Sequence, residues 1–422
     1  MSDTPKKPTN MMEASRRSVL MGGTALAASL FAPKFLKAAD YPTAAVNTTG
    51  LAVTDDEVTI GILHSITGTM AISETGSVQA EKLAIEQINA QGGILGRKIK
   101  YIQEDGASDW PTFAEKAKKL LVNDKVAAVF GCWTSASRKA VLPVFEQYNG
   151  MLYYPTFYEG LEQSPNVIYT GQEATQQIIA GIDWVAKEKG AKSFYLLGSD
   201  YIWPRTSNKI ARKHIEKLGL KVVGEEYYPL GHTQFNSVIN KIKLKKPDVI
   251  YAIVVGGSNV AFYKQLKAAG IDMTKEKPVL LTISVTEDEI RGIGGENIEG
   301  AYAAMKYFQS LDNENNKKFV SAFKEMWGED IVIGDVTQAA YLGPWLWKAA
   351  VEKAGSFDID KVRLASPGIE LKTAPEGYVR VHENNHLWSK TRIGLAKTDG
   401  QYDLVYETAD LMEPDPFPEG YQ

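Results

Sequence analysis

Apolar and polar positions along this chain change period repeatedly from residue 55 onward. Val58-Thr-Ile-Gly-Ile-Leu-His64 is a short apolar run with polar flanks, which predicts a buried strand over 58–64. The spacing then shifts to threes and fours, predicting a helix over 77–91 that stops at Gly92-Gly93. The exchange repeats as strand 99–103, helix 112–122, strand 127–131, helix 135–148 and strand 151–155. Past Thr170 it resumes with helix 174–189, strand 193–197, helix 204–218, strand 221–228 and helix 235–244. Strand 249–254, helix 259–269 and a further strand over 279–283 complete the series. Strands alternating with helices of this length predict an α/β fold with parallel sheets covered on both faces. The stretch from 55 to 422 exceeds one doubly wound core, so two such lobes are expected.

The N-terminal 39 residues follow a different pattern. Ser15-Arg16-Arg17-Ser18 precedes an apolar run of small residues from 19 to 32, a signal peptide with the paired arginines of the twin-arginine route. Val19 stands where that signal usually carries Phe, and an ordinary secretory leader is the alternative. The run of 14 residues is shorter than the ~20 needed to span a bilayer. Cleavage is expected around 38–39, and residues 40–54 read as a linker. No cysteine lies near that point, so no lipid anchor is expected, and the mature chain is not expected to span a membrane. Composition adds two exclusions. A net charge of −4 leaves no basic footprint for a nucleic-acid partner. The lone Cys132 allows no internal disulfide, so the exported chain relies on packing.

Open parallel sheets bind ligands at the carboxyl ends of their strands, so the loops there are candidate chemistry. They are His64-Ser-Ile-Thr-Gly-Thr69, Gly131-Cys-Trp-Thr-Ser-Ala-Ser137, Tyr154-Pro-Thr-Phe-Tyr158, Gly198-Ser-Asp-Tyr-Ile-Trp203 and Ser284-Val-Thr-Glu287. Hydroxyls and aromatic rings dominate and charges are few, which suits a small neutral polar ligand.

Longer segments carry a resemblance over nearly the whole mature chain. They include Gly61-Ile-Leu-His-Ser-Ile-Thr-Gly-Thr-Met-Ala-Ile-Ser-Glu-Thr75, Gly131-Cys-Trp-Thr-Ser-Ala-Ser-Arg-Lys-Ala-Val-Leu-Pro143, Tyr153-Tyr-Pro-Thr-Phe-Tyr-Glu-Gly160 and Gly198-Ser-Asp-Tyr-Ile-Trp-Pro-Arg205. In these the chain resembles the periplasmic urea-binding proteins of ABC transporters, within the amide- and branched-chain-amino-acid-binding class of type I periplasmic-binding proteins. The resemblance implies two hinged lobes with three crossings, one lobe from 55–172 and 303–360, the other from 173–302 and 361–422. It implies a ligand, urea with a short amide or a branched-chain amino acid as the alternatives, closed between the lobes and delivered to membrane permease subunits. Ser135 and Thr156 then match the hydroxyls of the amide site, Trp133, Tyr154 and Tyr158 its walls, and Tyr201 and Trp203 the approach from lobe two. Two indoles imply a tight pocket, which favours urea over longer amides. Glu287 and Asp335 are candidate acceptors for urea's N–H groups, because a carboxylate only accepts.

Structural roles compete with each of these. Ser135 stands where a helix N-cap stands, Trp133 and Tyr154 suit a core, and Asp335 suits an exposed loop or a cap before the helix containing Tyr341. Enzyme readings find little support, with no nucleophile elbow and no phosphate loop in the sequence. Five histidines are scattered, His382 and His386 bracket an expected loop, and Cys132 lacks a neighbouring His motif. No catalysis, cofactor or metal is therefore expected. An amidohydrolase or a cytoplasmic amide sensor of the same fold are the remaining alternatives, and the leader argues against the sensor.

Overall fold

The structure, a computed structural model, describes residues 40–275 and 277–422. The expected leader with Arg16 and Arg17 lies outside the described residues. Lobe one is built on β1 (Glu57–His64), β2 (Lys98–Asp105), β3 (Val129–Gly131), β4 (Leu152–Tyr154) and β5 (Val167–Tyr169). These pair in parallel in the order β2-β1-β3-β4-β5. Lobe two takes β6 (Ser193–Ser199), β7 (Lys221–Tyr228), β8 (Val249–Ile253), β9 (Val279–Thr282) and β10 (Tyr302–Met305). A small three-stranded sheet follows, β11 (Glu370–Leu371), β12 (Val379–Val381) and β13 (Leu387–Trp388). Then β14 (Arg392–Ala396) and β15 (Tyr402–Glu407) return to lobe two. Its sheet runs β15-β14-β10-β9-β8-β6-β7, parallel except for β14 and β15, which add antiparallel at one edge.

The expected α/β, two-lobed fold is present, with parallel strands forming the sheet cores. Central strands are buried throughout, such as Val249–Ile253 and Val279–Thr282, as continuous apolar runs in parallel sheets should be. On lobe one the helices Ala71–Ala90 and Asp335–Ala354 pack against each other and cover the sheet. Ile85 and Ile88 of the first share a buried cluster with Leu342, Leu346 and Trp347 of the second.

Local expectations fail where polar residues are buried or periodicity is short. The first helix begins at Ala71 rather than 77, because its opening turns bury Ser73, Glu74 and Ser77 and carry no apolar stripe. The helices expected over 112–122 and 174–189 each contain a π turn, Lys119–Asn123 and Thr175–Ile179. Two lobe boundaries also move. Strand β10 is hydrogen-bonded into the lobe-two sheet, so the chain leaves that lobe after Met305, not at 303. Residues 361–388 pack with lobe one, since Val362, Ile369, Val379 and Leu387 share a cluster with Val58, Ile60 and Trp347. Strands of two or three residues carry too little alternation to show that from sequence.

The chain therefore crosses between lobes after β5, after β10 and after β13. The crossings are tied to one another. Gln172 Nε2 donates to Thr391 Oγ1 at 2.9 Å and Gln176 Nε2 to the Leu387 carbonyl at 2.9 Å, and Arg392 Nη1 donates to the carbonyl of Lys306, the first residue past β10.

One glycine sets how the lobe-one platform is made. A Cβ on Gly131 would lie 2.1 Å from the Leu63 carbonyl oxygen, so β3 approaches β1 this closely only without a side chain. The next residue, Cys132, takes φ 62° and its N–H donates to that same carbonyl at 2.8 Å. Gly131→Ala is expected to lower stability by about 2 kcal/mol or more, since the overlap is with backbone that cannot rotate away. Chemical denaturation measures it, and an unchanged midpoint would show that the strand shifts freely.

Candidate functional site

The turn after β3 places Trp133 just before a helix, Ser135–Gln147, whose N-cap is Thr134; its hydroxyl accepts from the Ser137 N–H at 3.0 Å. From this position aromatic rings run across to lobe two. Trp133 meets Phe157 edge-on with centroids 6.0 Å apart, Phe157 meets Trp203 at 5.5 Å, and Trp203 meets Tyr201 at 6.5 Å. Trp133, Phe157 and Trp203 are buried, so the lobes are closed on each other here. Thr156 is held in the same loop by Gly171, where an added Cβ would strike the Thr156 backbone at 2.2 Å. Four polar atoms around this junction are buried without a hydrogen-bond partner: Trp133 Nε1, Thr156 Oγ1, Tyr201 OH and Trp203 Nε1. Buried polar groups are ordinarily paired, so a cluster of exceptions marks a place where a partner belongs.

Ser135, Tyr154 and Tyr158 lie in a layer behind. The Arg138 guanidinium stacks over Tyr154 and Tyr158, 4.8 and 4.4 Å from their centroids. It pairs with Glu162 through Nε at 2.7 Å and with Glu159 through Nη2 at 3.2 Å. Ser135 donates to Glu159 Oε2 at 2.5 Å and accepts from Arg138 Nη1 at 3.1 Å. Its hydroxyl is thus already engaged, and Thr134, not Ser135, caps the helix. Tyr154 donates to the Trp133 carbonyl at 2.7 Å, and the Tyr158 hydroxyl lies 2.6 Å from His386 Nε2. Burial alone would raise the Glu162 carboxyl, but Arg138 and Lys139 outweigh it and hold it down at about 2. These groups fix the loop that carries Trp133 and Thr156.

Sequence patterns did not single out Phe157, Arg138, or a buried group at the end of β1. There His64 Nδ1 lies 3.3 Å from Glu74 Oε2 and its Nε2 3.0 Å from Glu81 Oε1. The signal available was that 74 and 81 are seven apart, two helical turns, and so share a face. Burial would lower the His64 pKa, but the Glu81 charge and the bonds to both carboxylates hold it at about 9.

Glu287 and Asp335 gather elsewhere, at the crossing after β10. Asp335 is the first residue of its helix and buried, not in an exposed loop. Its Oδ2 accepts from the backbone N–H groups of Lys306 and Tyr307 at 3.0 and 2.9 Å, and burial raises its pKa to about 6. Glu287 Oε1 accepts from the Gln309 N–H at 2.9 Å. Both carboxylates pin the crossing and leave one oxygen each without a partner. Cys132 is buried, and burial pushes its thiol far up, which keeps it a neutral packing group. His382 and His386 turn to different partners, Glu413 and Tyr158. Among the described residues no cluster of three or more His, Cys, Asp or Glu could hold a metal ion, and no helix is long and apolar enough to cross a membrane.

Two α/β lobes, three adjacent crossings and strand-end loops that bury unpaired polar atoms between them define a protein that closes on a small molecule. The chain belongs to the periplasmic binding protein domain family, whose model matches residues 58–422. The family's description is that of a binding protein and not of an enzyme. A Leu/Ile/Val-binding protein homolog from Brucella melitensis is 24% identical over 387 residues, 85% of this chain and 94% of its own. A Rhodopseudomonas palustris solute-binding protein in complex with 3,4-dihydroxybenzoic acid superposes with TM-score 0.76 and 24% identity, covering 85% of this chain and 99% of that one. A Thermotoga maritima leucine-binding protein gives TM-score 0.73 and 20% identity over 83% and 98%.

Two histidines should titrate in opposite senses. His64 is raised from 6.5 to about 9, so its stabilisation is complete below about 6.5 and fades as pH climbs toward 9. His386 is lowered by burial to about 3, so it favours folding above 6.5 and loses that contribution as pH falls toward 3. Ring-proton NMR of the folded protein is expected to show His64 charged at pH 7 and His386 neutral. A midpoint near 6.5 for either ring would refute its assigned environment.

Proposed function

We propose that this chain is the exported solute-binding component of an ABC transporter, and that it closes on urea or a short amide and presents it to the membrane permease. The cluster of buried unpaired atoms carries this reading: Trp133 Nε1, Thr156 Oγ1, Tyr201 OH and Trp203 Nε1. Indole and hydroxyl donors suit a carbonyl oxygen, and urea has too little apolar surface to be held by the hydrophobic effect. Two cations near the site are already neutralised, Arg138 by Glu159 and Glu162 and His64 by Glu74 and Glu81. A ligand carboxylate would find neither free. The lobes would hinge at the three tied crossings, bringing Tyr201 and Trp203 over a ligand seated against Trp133 and Thr156. A second reading, a branched-chain amino acid or an aromatic acid, rests on what the relatives' names and structures contain.

Calorimetric titration with urea, acetamide, formamide, leucine and benzoate separates the two. Urea or a short amide is expected to bind and the carboxylates are not; saturable leucine or benzoate binding with urea silent would establish the second reading. Thr156→Val removes one buried partner and should weaken urea by roughly 10–100-fold while leaving the melting temperature of the free protein nearly unchanged. Trp133→Ala should weaken urea most and admit a longer amide. Export by the twin-arginine route predicts that changing Arg16 and Arg17 to Lys leaves full-length precursor in the cytoplasm. Normal export of that double variant would assign the general secretory route.

A further inference from the structure

Donors that grip a carbonyl account for only half of an amide, because its N–H groups need acceptors once water is gone. Helix Ala71–Ala90 begins in the loop after β1, and its first turn carries Glu74 inward with no exposed surface. One carboxylate oxygen, Oε2, accepts from the Ser65 N–H at 2.7 Å and faces His64 Nδ1 at 3.3 Å. The other, Oε1, is buried with no partner. His64 is itself caught between Glu74 and Glu81, so both its nitrogens face carboxylates and the ring carries protons on both. The imidazolium and the Ser65 amide together fix the orientation of the Glu74 carboxylate. Oε1 is thus a buried acceptor that no donor faces, which is unfavourable until one arrives. The Tyr201 hydroxyl of lobe two lies within electrostatic reach of Glu74, and so does Cys132 beside Trp133.

We propose that Glu74 Oε1 is the acceptor for a ligand N–H and the residue that selects amides and ureas over carboxylic acids. The inference rests on the cleft being the ligand site and narrows what that site takes. A neutral molecule with an N–H beside its carbonyl satisfies Glu74 and the indole and hydroxyl donors together. A carboxylic acid of the same shape sets an anion against Glu74.

Glu74→Gln keeps the shape and removes the charge, and acetamide and acetate differ in the same way. The wild-type protein is expected to bind urea and acetamide and to reject acetate. In Glu74→Gln, urea and acetamide should weaken by roughly 10–100-fold while acetate gains. A purely structural role would lower the melting temperature of the variant without moving the acetamide-to-acetate preference. Should the wild type bind urea or acetamide and Glu74→Gln keep both affinities within twofold, Glu74 is not the acceptor and the site reading stands. Should the wild type bind neither, the amide reading itself falls and takes this inference with it. If Glu74→Gln does not fold, Glu74→Asp decides: drawing the carboxylate back should weaken acetamide and leave acetate excluded, and unchanged acetamide affinity would overturn the proposal.

Discussion

A polar atom sealed away from water without a partner costs roughly 1–3 kcal/mol, and this fold gathers several such atoms where its two lobes meet. That one constraint organises much of the rest. Atoms that find no partner within the protein have to be held rigidly, or they would rotate to find one another. The arrangement of Arg138, Glu159 and Glu162 does this on lobe one, fixing the loops that carry Trp133 and Thr156. Removing one member of such a buried set leaves a charge uncompensated, so the support is both strong and intolerant of change.

The same rule explains which residues were legible from the amino-acid order. Strand-end loops stood out because short apolar runs gave way to a spacing of threes and fours at a definite residue, and Trp133, Thr156, Tyr201 and Trp203 fell within them. Ser135 and Tyr158 lie in those loops too, but whether a hydroxyl is free depends on Glu159 and on His386, more than 200 positions from Tyr158 along the chain. Glu74 was hidden for the opposite reason. It sits in the opening turns of its helix, which bury Ser73, Glu74 and Ser77, and apolar periodicity is blind to polar positions that face inward.

Larger misassignments have a different origin. The grouping of 361–388 with lobe two failed because β11, β12 and β13 are only two or three residues each. Their allegiance to lobe one is written in contacts to Val58, Ile60 and Trp347 that no local window contains. Asp335 looked like a surface cap and is instead a clamp on the chain as it leaves β10. Element type was therefore readable through the regular βα repeats, while lobe membership was not.

The three crossings, tied by Gln172, Gln176 and Arg392, have a consequence for speed. Connections lying side by side resist sliding and twisting but bend together, so the lobes keep essentially one soft coordinate. Little chain entropy is then left to remove when a solute arrives, and a molecule as small as urea has little binding free energy to spare for that purpose. Capture would be governed by how often the solute meets an open mouth, and release by how seldom that single coordinate swings back.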